Sequence, residues 1–295
     1  MSWRAWGAFA ALGVIWGLPY FFIKVAVQEL SPVVVAFGRI ALSALILLPI
    51  AWRQGALGFS SGHKMAICVF ALVEFVIPFC LISLGERWIS SSIAGILIAM
   101  VPFWIALIQR FFGVHERLGL WRTVGLLIGF TGVVVLVGFG TISWPLGWLG
   151  VACMLVSTLG YAIGPLIIQR HMRGMNAIGP LAASLGVAAA MLLIPALLSL
   201  PGQAPSAAVL GSMAMLGLLC TAVAMLLMFY LVAHAGASRA AVITYINPAV
   251  AALLGVALLH ERLGAGGVLA FVLILLGSWL AARGARAAHT ADAVG

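Results

Sequence analysis

Apolar positions in this chain gather into ten long runs separated by short polar breaks, at 3–24, 32–52, 65–84, 91–112, 120–138, 147–169, 178–199, 207–233, 239–258 and 266–283. Each run is about 20 residues long, the length a helix needs to cross ~30 Å of hydrocarbon. In lipid every backbone N–H and C=O needs an internal partner, which favours helices. A membrane β-barrel would instead alternate apolar and polar residues in segments of ~10, and no such pattern occurs. The expected fold is an all-α membrane protein with ten transmembrane helices. The first run ends at Lys24 in "FFIKVAVQEL" with no small-residue cleavage site after it, so it reads as a retained helix rather than a signal peptide.

Composition agrees with this pattern. Hydrophobic residues make up 65% of the chain and charged residues 7%, against roughly 25% charged in soluble domains. The net charge of +9 does not point to nucleic acid, because the basic residues are not clustered on a soluble face. With the N-terminus inside, the inner segments hold Arg4, Arg53, Lys64, Arg110, Arg117, Arg122, Arg170, Arg173, Arg239, Arg283 and Arg286. The outer segments hold only Lys24, Arg87 and Arg262, with Arg39 inside the second run. This asymmetry follows the positive-inside rule and places both termini in the cytoplasm, with the bilayer as the surrounding partner. The cysteines Cys68, Cys80, Cys153 and Cys220 all lie in apolar runs without C-x-x-C spacing, which fits packing rather than a disulfide framework or a metal site.

"HERLG" occurs twice, at His115–Gly119 and His260–Gly264, after the fourth and the ninth run. Trp3 with Trp148, Pro49 with Pro195, and "MVPF" with "INPA" share the same shift of 145 or 146 residues. Each half therefore holds five crossings. Because five is odd, the second half starts on the opposite side of the membrane. The expected organisation is two inverted five-helix repeats, 1–138 and 139–283, followed by a disordered cytoplasmic tail over 284–295. Inverted repeats place a binding site at the midplane between halves and support alternating access.

"SSIAGILIAMVPFWIALIQRFFGVHERLGLWRTVGLLIGFTGVVVL" and "SRAAVITYINPAVAALLGVALLHERLGAGGVLAFVLILLGSWLA" resemble the two EamA-type repeats of the drug/metabolite transporter superfamily. "GVIWGLPYFFIK" and "FGRIALSALILLP" resemble that family's first and second helices. Among its branches the chain looks most like bacterial inner-membrane exporters of amino acids, aromatic ones included. The resemblance covers nearly the whole chain and implies an exporter in the inner membrane.

The two loops superficially suggest zinc, since His-Glu opens a zinc-protease motif. That motif needs a second His four residues after the first, and Gly119 and Gly264 stand there. These glycines are expected instead to permit a tight reversal into the next helix. Glu74, mid-run in "ALVEFVIPF", is the main functional candidate, because a carboxylate at helix centre costs ~2.5–3.5 kcal/mol on insertion scales and calls for a cavity or a partner. Arg39 is one candidate partner, and its role stays open. A helical proline leaves the carbonyl four residues earlier without its donor. Pro78, Pro102, Pro165 and Pro248 are thus expected to kink their helices and free the carbonyls of Glu74, Ile98, Tyr161 and Thr244.

Trp16, Tyr20, Phe79, Met100, Tyr161 and Tyr245 are candidate wall residues of a central site, with Met225 and Met228 as adaptable apolar wall and Asn247 as a donor to a substrate carboxylate. Trp3, Trp6, Trp52, Trp88, Trp121, Trp144, Trp148 and Trp279 read as interface anchors. Gly13/Gly17, Gly125/Gly129 and Gly160/Gly164 read as small-residue helix contacts.

The chain has no P-loop, paired catalytic carboxylates or metal cluster, so neither internal ATP use, an enzyme, a cofactor nor a metal is expected. The reading is a secondary transporter exporting amino acids broadly, including aromatic ones and methionine. Efflux of drugs or other metabolites is the alternative, and an intramembrane enzyme or sensor the alternative of another class. The coupling ion and the oligomeric state stay open, and a monomer is compatible.

Overall fold

The computed structural model describes residues 3–111, 120–138, 146–172, 174–235, 243 and 246–291. Their elements assemble ten helices. α1 joins Trp3–Gly17 to Pro19–Ala26 at Leu18, and α2 is Pro32–Arg53. α3 runs through Ser61–Phe70, a π-helical Ala71–Val76, and Ile77–Gly85. α4 consists of Ser91–Ile98 and Val101–Phe111, α5 is Leu120–Gly138, α6 is Gly147–His171 and α7 is Ile178–Leu197. α8 runs through Ala207–Ala214, a π-helical Met215–Val223, and Ala224–Ala235. α9 is described over Asn247–Leu258, and α10 spans Ala265–Ala291. Six of these are long and apolar enough to cross a membrane and four are shorter apolar helices, so the expected ten are accounted for.

Local chemistry sets the boundaries. Ser31, Ser90 and Ser206 each stand at an N-cap and accept from the backbone N–H three residues on, starting α2, α4 and α8. Gly55 ends α2 at φ +64°, where Ala56 N bonds Ala51 O and Gly55 N bonds Trp52 O, the paired geometry that satisfies the last carbonyls of a helix.

The boundaries differ from expectation in three ways. Pro102 and Pro248 do not kink continuous helices. Each is the second residue of a helical segment, where a missing N–H has no partner to lose. α4 is broken just before Pro102, through tight bonds from Ala99 N to Ile96 O and Met100 N to Leu97 O. The tail is also not wholly disordered. α10 continues to Ala291, because "GARAAHTA" is rich in alanine, the best helix former. Thirdly, Gly264 does not make the reversal. His260 takes the left-handed conformation at φ +54° after α9, while the Gly264 carbonyl accepts from Gly267 and Val268 at the start of α10. Many helices end on one left-handed residue just past the cap, and His is among the non-glycine types enriched there.

Packing follows the repeat. α2 packs on α7, α4 on α9 and α5 on α10, while α1 packs on α8 and α3 on α6. Exchanging each helix with the one five places away leaves this set of contacts unchanged. The halves are not two separate cores: the two larger apolar clusters both draw residues from both halves. Close approaches depend on glycine. A Cβ on Gly277 would collide with the backbone of Gly129, and one on Gly160 would stand 2.5 Å from Val73 O. Trp3, Trp6, Trp52, Trp121 and Trp148 are exposed near helix ends, as interface anchors should be.

Candidate functional site

Glu74 lies within the π-helical stretch of α3, eleven residues before Gly85. At 1.5 Å per residue this is roughly 16 Å below the helix end, well inside a hydrocarbon layer. Its Oε2 is buried and has no hydrogen-bond partner among the described residues. The carboxylate rests against Gly164 of α6, where a Cβ would collide with it. Gly164 had the sequence signature of a packing residue, yet what it admits is a carboxylate. Within the π turn, Ile77 N bonds Leu72 O, five residues back. In the same turn the Val73 carbonyl faces Gly160 of α6. Pro165 sits inside a continuous α6.

Arg39 is not bonded to Glu74. Its Nε donates to Thr221 Oγ1 in the π-helical stretch of α8 at 2.8 Å. Thr221 in turn donates to Leu216 O at 2.9 Å, which leaves its oxygen free to accept. The guanidinium lies over the Phe79 ring at 3.9 Å. Tyr161, half-buried on α6, stands within electrostatic reach of both Arg39 and Glu74. Tyr20, buried on α1, is within reach of Tyr161 and Arg39. Helices α1, α2, α3, α6 and α8 therefore bring Tyr20, Arg39, Glu74, Phe79, Tyr161 and Thr221 around one mid-membrane region. The sequence offered a weak signal for Thr221, a hydroxyl in the otherwise apolar "LLCTAVAM", next to the position that the repeat aligns with Glu74.

Other candidates are placed differently. Trp16 is half-buried and packs against the cluster around Leu12, Ala224 and Leu231, as Met228 and Tyr230 do. Met225 and Met228 are also half-buried. Met100 is sealed at the α4 break at 2% exposure, so it forms core rather than wall. Asn247 starts the described part of α9 and is 6% exposed. With its amide oriented by its neighbours, Nδ2 donates to Gly13 O at 3.2 Å and Ile243 O at 3.0 Å. Both amide protons are thereby taken by backbone, which ties α9 to α1 rather than leaving a donor for substrate. Tyr245, Thr244 and the first "HERLG" loop lie outside the described residues.

The end holding Lys24, Glu29, Glu86 and Glu261 carries polar ties that sequence reading missed. Glu261, of the second "HERLG", accepts from Ser91 N at 2.7 Å, Ser92 N at 2.9 Å and Ser92 Oγ at 2.6 Å. It thus caps the N-terminus of α4, from the other half of the chain. Glu29 Oε2 accepts from Ser206 N at 2.7 Å and caps α8, again across the halves. Lys24 Nζ donates to Glu86 O and, at 2.8 Å, to Ile89 O. Ile23, Ile82, Ile89 and Ile93 are buried at the same end.

A ten-helix bundle of paired halves, with ionisable groups held at mid-membrane, has the architecture of a membrane transporter. The chain belongs to the EamA-like transporter family, which matches it over residues 4–138 and 148–283. It is similar to the uncharacterized inner membrane transporter YedA of Escherichia coli (strain K12), at 31% identity over 93% of this chain and 91% of that protein. An uncharacterized transporter of Archaeoglobus fulgidus is 30% identical over 95% of this chain and 99% of that one. A solved crystal structure superimposes with a TM-score of 0.66 at 17% identity, covering 94% of this chain and 96% of its own, a likeness of fold.

Proposed function

We propose that this transporter exports amino acids across the bacterial inner membrane, both termini cytoplasmic, by alternating access between inverted halves. One observation carries the reading: the Glu74 carboxylate is buried at mid-membrane, seated against a glycine and with its Oε2 lacking a hydrogen-bond partner among the described residues. Such a group is costly unless it meets a cation or a proton. The α-ammonium of an amino acid supplies three donors and a positive charge. Tyr161, Phe79 and Tyr20, with Trp16 and the adaptable Met225 and Met228, offer aromatic and thioether surface to large apolar side chains. Tyr245 belongs to the same proposed wall. The pairing of α2 with α7, α4 with α9 and α5 with α10 supports the inverted two-fold: helices five crossings apart run in opposite directions.

The test is efflux of labelled phenylalanine, methionine and threonine from proteoliposomes holding the purified protein. The expected result is release of phenylalanine and methionine well above empty vesicles. If no amino acid is released while a cationic dye is, the protein is a drug-efflux transporter instead.

A further inference from the structure

Among the described residues, Arg39 is the one arginine inside the outer half of the membrane region, seven residues into α2 and roughly 10 Å below that end of the helix. A guanidinium stays charged in any protein environment. Burying it without an anion is unfavourable, and here it is 7% exposed. Its hydrogen bonding nevertheless goes to a neutral group. Nε is held by Thr221 Oγ1, whose own proton is committed to Leu216 O, and one face is covered by Phe79. Glu86 lies within electrostatic reach of it, but neither Glu74 Oε2 nor either oxygen of Glu86 is bonded to it. The clamp fixes the stem and the plane of the guanidinium, and among the described residues no group accepts from the two terminal nitrogens. That is a fork preorganised for a carboxylate, which takes two parallel N–H bonds.

The fork also shares a neighbour with the proposed ammonium site. Tyr161 lies within electrostatic reach of both Arg39 and Glu74. A positive fork and a negative carboxylate that both reach one phenol match the two charges of a zwitterion. A simple cation would find Glu74 suitable and Arg39 repulsive. A simple anion would find the reverse.

We propose that Arg39 receives the carboxylate of the exported amino acid, with Thr221 and Phe79 as its positioning residues, and so restricts the substrates to α-amino acids rather than organic amines. This rests on the amino acid reading above. The experiment measures KM and the maximal rate for phenylalanine and for phenylalanine amide, which keeps the ammonium and loses the carboxylate. Wild type, Arg39→Lys, Arg39→Gln and Thr221→Val proteins are compared in proteoliposomes. Wild type should prefer the acid at least tenfold. Arg39→Gln should abolish that preference by raising KM for the acid and lowering KM for the amide, which no longer meets a repelling charge. Arg39→Lys, which keeps the charge but loses the fork, and Thr221→Val, which frees the stem with little change of volume, should each raise KM for the acid several-fold. Equal losses for acid and amide would reduce Arg39 to a structural role and overturn the proposal. So would an unchanged KM for the acid in Arg39→Lys and Thr221→Val. Wild type that carries the acid and the amide alike overturns it while leaving amino acid export intact, whereas wild type that carries neither defeats the export reading itself.

Discussion

Glu74 illustrates how far single residues can be read. Its position in an apolar run marks it in the sequence, since an ionisable group there is costly. The identity of its neighbour could not be read. Gly164 has the spacing of a packing glycine, and only the crossing of α3 on α6 shows that it makes room for a carboxylate. Arg39 was equally visible, but its partner Thr221 is 182 positions away. Glu29 makes a prediction at this scale. Donation from the Ser206 N–H holds its carboxyl below the ordinary 4.5, because that bond favours the charged form. A carboxyl lowered in the folded state contributes stability that is present above pH 4.5 and is lost as pH falls through its native value. Wild type should therefore be more heat-stable than Glu29→Gln at pH 7, and the difference should shrink in acid. A difference in Tm that stays the same from pH 7 down to about pH 3.5 would contradict this.

Helices were largely legible as elements, because an apolar run of about 20 residues matches the span of a bilayer and is far too long for a strand. Their irregularities were not. The π-helical turns of α3 and α8 leave no trace in hydrophobic periodicity, since nearly every position there is apolar. Proline announced a disturbance at Pro102 and Pro248 but did not distinguish a kink from a break. The repeated "HERLG" reads as a reversal between helices, while the role of the acid in its second copy emerges only from the fold. Glu261 reaches across to α4 and satisfies the first N–H groups of that helix, which no earlier turn can reach. Glu261→Gln keeps the size of the side chain but loses the charge and presents an amide where donors converge. The expected loss is about 2 kcal/mol, a fall in Tm of roughly 4 °C measured in detergent. A Tm equal to that of wild type would mean that Ser90 alone suffices to cap α4.

For the whole molecule, the repeat was the most informative feature of the sequence, since two halves of five crossings each imply an exchange symmetry. The observed pairing of helices follows that symmetry, down to α1 with α8 and α3 with α6. The sequence did not reveal how closely the halves interlock. Glu29 and Glu261 both tie one half to the other at the same end, and the apolar clusters run through both. The mid-membrane region, by contrast, holds Arg39 and Glu74 without a bond between them. That distribution suits the proposed carrier, whose halves are tied at one end and which would load its substrate between them. Transport is a property of the whole assembly, and the proposed account places Glu74 at its centre. The decisive measurement is exchange of labelled phenylalanine across proteoliposomes by wild type and Glu74→Gln, with Tm recorded for both. Glu74→Gln should fold with a Tm within a few degrees of wild type and lose at least nine tenths of the exchange. Exchange at the wild-type rate would contradict the account.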